Sequence, residues 1–95
     1  MATYVILSRV SPEALAEPGR FRDLAGKVSE RLRTECPGVT WKESFGTIGR
    51  FDVIDIVESD DPKQVARAAL IIRSVGHSTT ETLPAVPWEE FLDAL

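Results

Sequence analysis

The feature that most constrains what this chain can fold into is the order in which strand-like and helix-like periodicities follow one another. "TYVILSRV" (3–10) is a short β-branched, apolar run ended by Ser11-Pro12, which predicts a strand buried on both sides. "SPEALAEPG" predicts a helical turn with Ser11 as cap and Pro12 in first position, stopped at Pro18-Gly19. Phe21, Leu24, Ala25, Val28 and Leu32 then recur at helical spacing as far as Pro37-Gly38, with a charged opposite face. "VTWKESFGTIG" returns to alternation: Val39, Trp41, Glu43 and Phe45 on one side, Thr40, Lys42 and Ser44 on the other, closing in a glycine-containing turn at 46–49.

"RFDVIDIVE" (50–58) predicts the third strand. Asp61-Pro62-Lys63-Gln64 reads as a capping box with proline in the first turn, and Val65, Ala69 and Ile72, with Ala66 and Leu70, carry a helix that Gly76 can end. "HSTTETLPA" is a threonine-rich fourth strand. Trp88, Phe91, Leu92 and Leu95 form one apolar stripe on a short acidic C-terminal helix. The order β-α-β-β-α-β plus a final helix predicts an α+β, ferredoxin-like fold, a four-stranded antiparallel sheet with two helices on one face. Strands one and three, the most apolar, belong at its centre.

No repeat, low-complexity tract or linker divides the chain, so 1–95 is expected to be a single domain. Ninety-five residues bury a small core, and a second chain is a natural source of further burial. A formal charge of -4 disfavours nucleic acid and anionic lipid as partners, and no apolar run approaches a membrane span. One cysteine, Cys36, excludes an internal disulfide, leaves too few thiolates for a zinc site and fits a reducing, cytoplasmic setting without signal peptide. Neither a metal nor an organic cofactor is called for by any motif: there is no phosphate loop, HExxH, CxxC or GxSxG.

Asp52 and Asp55 interrupt the third strand, and a buried carboxylate demands a partner, a function or an interface. Three residues apart on a strand, they point to opposite faces and form no catalytic pair. The expectation is that Ile54 and Ile56 face the helices with Asp52 at the strand entrance, satisfied by a turn amide. Phe51, Val53 and Val57 then line the far face, where two sheets pack across a dimer and Asp55 sits at the rim or in a cavity between them.

The segment "GRFDVIDIVESDD", followed by a helix and "TETLPA", resembles the GYD-domain family, small proteins related to the dimeric α/β-barrel proteins; "YVILSRVSPEAL" and "WEEF" extend the likeness over nearly the whole chain. Gly49 and Asp52 match the Gly-Tyr-Asp motif, Phe51 replaces its tyrosine, and Ala14 stands where glycine is common. The resemblance implies the ferredoxin-like fold and pairing of sheet faces into a homodimer or a larger dimer-based oligomer. It implies no established reaction, and Phe51 lacks the hydroxyl that a phenol-based mechanism would use.

Candidate ligand-binding residues are Tyr4, Trp41, Phe51, Asp52, Asp55, His77, Thr80 and Thr82, with none assigned as catalytic. The aromatic residues suit the walls of an apolar pocket, and core packing explains them at least as well. His77, the only histidine, would need Asp52 or Asp55 within reach to act as a base; otherwise it is a loop residue bonded to water or backbone. Thr80 and Thr82 share a face with Ser78 on an expected edge strand, a ladder that suits a polar cavity or simple cross-strand pairing. Three functions remain open: an accessory module binding a small molecule, a cofactor-free enzyme using aspartate or histidine, and an assembly subunit recruiting an enzyme through its last helix.

Overall fold

The computed structural model describes residues 1–95. Its elements are β1 (Ala2–Val10), α1 (Pro12–Leu15), α2 (Pro18–Glu35), β2 (Val39–Gly46), β3 (Val53–Ser59), α3 (Pro62–Val75), β4 (Ser78–Ala85) and α4 (Trp88–Asp93). The four strands form one antiparallel sheet in the order β2-β3-β1-β4, with β1 and β3 central and β4 at an edge. This is the ferredoxin-like arrangement expected from the sequence. The molecule measures 46 × 30 × 17 Å, the thickness of one sheet and one helix layer.

Local chemistry explains most of the boundaries. Ser11 caps α1 by accepting from the Ala14 amide. Pro18, expected to stop a helix, instead opens α2 in its first turn, where a missing N–H costs nothing. Asp61 caps α3 by accepting from the Lys63 amide at 2.9 Å, but the capping box is not completed. Gln64 reaches across to accept from the Gly38 amide at 2.6 Å, tying α3 to the start of β2. The buried face of α3 is Val65, Ala68, Ile71 and Ile72, while Leu70, expected on the apolar stripe, is exposed.

Directly opposed residues share a face of a sheet, so the register assigns the two faces. Ile6 pairs with Asp55, Tyr4 with Val57 and Ser8 with Val53. Ile6 and Val57 are fully buried and pack with Ile72 of α3, which makes this the helix-covered face. The expectation for β3 is therefore inverted: Asp55 and Val57 lie beneath the helices, and Ile54 and Ile56 lie on the open face with Val5, Leu7, Phe45 and Leu83. The alternation itself holds, with its two sides exchanged. On β2, a register irregularity between Trp41 and Glu43 breaks the alternation as well, so Trp41 and Ser44 share the helix side while Glu43 and Phe45 share the open side.

α4 leaves its aromatic stripe largely uncovered. Trp88 and Phe91 stack on each other with centroids 5.8 Å apart, and no residue of α4 is buried. No helix is long and apolar enough to cross a membrane.

Candidate functional site

Asp55 is the most informative polar residue on the helix side. It is 6% exposed, and its Oδ1 accepts from the Ser44 hydroxyl at 2.5 Å and from the Trp41 indole Nε1 at 3.0 Å. The same indole N–H also lies 3.0 Å from the Ser44 Oγ. The irregularity at Lys42 makes this triad possible, because it brings Ser44 onto the face of Trp41 and opposite Asp55. No protein group donates to Oδ2. One oxygen is thus fixed by two donors and the other remains free to accept.

This triad lies on the floor of a cleft of about 790 Å³ between the sheet and α2. The cleft exists because α2 leans on α3 rather than on the strands, so none of its 18 residues is fully buried. Phe21, Leu24, Val28 and Leu32 form its roof; Ser8, Val10, Trp41 and Asp55 belong to its floor. The volume falls within the roughly 300–1,000 Å³ of small-molecule pockets, and the lining has their character, apolar walls with a few placed polar groups. Ser8, 2% exposed, adds a buried hydroxyl to which no protein group is hydrogen-bonded. Cys36 also lines the cleft, and burial pushes its thiol pKa up, away from thiolate reactivity.

The other candidates are dispersed. The Asp52 Oδ2 accepts from the Val10 amide at 2.8 Å, its own amide donates to the Ser8 carbonyl at 2.8 Å, and its carbonyl accepts from the Thr47 amide at 2.9 Å. Asp52 is thus a clasp joining the 47–52 turn to the end of β1, satisfied by a strand amide rather than the turn amide expected. Phe51 is half-buried in that turn, its carbonyl accepting from the Thr47 hydroxyl at 2.5 Å. Tyr4 packs beside Ile6 and Val57. Thr80 and Thr82 lie on the helix-side face of edge strand β4, outside the cleft.

His77 is exposed between α3 and β4 with φ 49°, the left-handed region, and its carbonyl accepts from the Ser11 amide at 2.9 Å. It lines a separate pocket with Glu13 and Asp23 rather than the Asp55 cleft. No three His, Cys, Asp or Glu side chains converge to hold a metal ion. Sequence reasoning missed Ser8 and Ser44. Ser8 had a signal, as a hydroxyl inside an apolar strand; Ser44 had none, because its face depends on the irregularity at Lys42.

Strand order, a single helix layer and an apolar open sheet define the class, a ferredoxin-like α+β protein. The sequence pattern of the GYD domain family matches residues 4–95, and the chain belongs to that family. It is 27% identical over 95 residues to the "Glutamine synthetase and cystathionine beta-lyase binding protein" of Thermus thermophilus, a match covering 100% of this chain and 99% of that protein. Two solved structures share the fold. The designed protein Foldit4 superposes with a TM-score of 0.51 at 17% identity, covering 90% of this chain and 96% of that one. A Caulobacter crescentus protein solved under an antibiotic biosynthesis monooxygenase name gives 0.50 at 15% identity, covering 90% and 91%.

Proposed function

We propose that this protein is a non-catalytic accessory module that pairs with a second copy through its open sheet face, binds an enzyme partner and holds a small molecule beneath α2. The observation that carries the partner reading is the end-to-end similarity to a relative named for binding glutamine synthetase and cystathionine beta-lyase. The surface supports it. Val5, Leu7, Ile54 and Ile56 form a contiguous apolar field flanked by Phe45 and Leu83, both about half exposed, which suits a self-complementary interface. Trp88, Phe91 and Leu92 add a second apolar surface on α4, available to a different protein. A lone cysteine and an enzyme partner fit a cytoplasmic setting.

The test is direct binding of the purified protein to glutamine synthetase and to cystathionine beta-lyase from its own organism, measured by surface plasmon resonance. Saturable binding to either, weakened by Trp88→Ala with Phe91→Ala, is the expected result. No binding to either enzyme would overturn the partner reading. A cofactor-free enzyme is the second reading, and the free Oδ2 of Asp55 in an apolar cleft favours it. It would have to work without His77, which faces elsewhere.

A further inference from the structure

The cleft beneath α2 contains two charged side chains, Arg33 and Asp55. Arg33 is already engaged, donating to both carboxylate oxygens of Glu30 at 2.6 and 2.7 Å. Asp55 is nearly buried, and its two hydrogen-bond donors, Ser44 and Trp41, are both neutral. A carboxylate so placed is stabilised by hydrogen bonds on Oδ1 but lacks a counter-charge, and burial without one is costly. The Ser8 hydroxyl, unpaired on the same face, offers a second polar contact. Phe21, Leu24, Ala25, Val28 and Leu32 make the roof apolar, with Ser29 as the polar residue among them.

We infer that the cleft binds a small organic ammonium compound, its cationic head on Asp55 Oδ2 with help from Ser8 and its apolar body between α2 and the sheet. The inference rests on the cleft being a ligand site and adds the charge and shape of the ligand. The head supplies the charge that the protein withholds. Trp41, hydrogen-bonded to the same carboxylate, reports on it.

The test uses three probes of matched shape, 2-phenylethylammonium, 2-phenylethanol and 3-phenylpropionate, titrated into the purified 95-residue protein. The Trp41 indole N–H signal is followed by ¹H–¹⁵N NMR, assigned with Trp41→Phe, and exposed Trp88 serves as internal control. The ammonium should shift the Trp41 signal saturably, at least about tenfold more tightly than the alcohol, with the carboxylate weakest. Asp55→Asn should abolish the ammonium's advantage and leave alcohol binding in place. Equal affinity for ammonium and alcohol in the wild-type protein, or tightest binding of the carboxylate, would overturn the charge assignment without any variant. No Trp41 shift with any probe would overturn the cleft as a ligand site, leaving the enzyme-partner reading to its own binding test.

Discussion

Val57 and Ile56 are neighbours on β3 that face opposite ways, so substituting each in turn separates the stability of the fold from that of the assembly. Val57 is fully buried against Ile6 and Ile72. Val57→Ala removes two methyl groups' worth of buried surface at about 0.8 kcal/mol each and adds a cavity term, for a loss of roughly 1.5–2.5 kcal/mol. For a domain of this size that is a fall in Tm of roughly 6–20 °C. The fall should persist at every protein concentration, because the contacts are internal to one chain. Ile56→Lys leaves those contacts untouched but puts an ammonium in the middle of the open sheet face. Sedimentation velocity should show the wild type at a multiple of two chains and Ile56→Lys as monomer. A Val57→Ala melt within about 2 °C of wild type would refute the face assignment. An Ile56→Lys protein that keeps its full mass would refute pairing through that face.

Asp52→Ala should cost about 1–3 kcal/mol, because it strips the partner from the buried Val10 amide; urea unfolding monitored by circular dichroism measures it. Deleting the residues after Ala85 should weaken the enzyme complex while leaving the core intact, since no α4 residue is buried; unchanged enzyme binding would count against a role for that helix. Cys36 has a thiol pKa raised by burial, so the folded state keeps its proton where the unfolded chain has lost it. Its contribution is fully present below the ordinary thiol value of about 8.5 and is lost as pH rises above it. Urea midpoints at pH values on either side of about 8.5 should therefore fall more steeply for wild type than for Cys36→Ala, and native Cys36 should alkylate slowly until urea is added. His77→Gly should be neutral or stabilising by up to about 1 kcal/mol, because glycine accepts the left-handed backbone at that turn without strain; thermal melts of the two proteins measure it.

The architecture was legible because each element announced itself locally. Proline and serine mark the start of α1, Asp61-Pro62 marks the start of α3, and the apolar runs of β1 and β3 identify the central strands. What the alternation in β3 leaves open is a sign. It shows that Asp55 and Val57 share one face and Ile54 and Ile56 the other, and hydrophobicity alone favours putting the isoleucines under the helices. The choice is decided elsewhere, by Trp41 and Ser44. Once an irregularity of one residue brings both onto the helix side, Asp55 has two donors and can be covered, which frees the isoleucines to face outward. Asp52 answers the same demand differently, by clasping a strand end. The two aspartates that looked alike in the sequence therefore have separate consequences: one closes the sheet, and the other, with an oxygen to spare, gives the cleft its polarity.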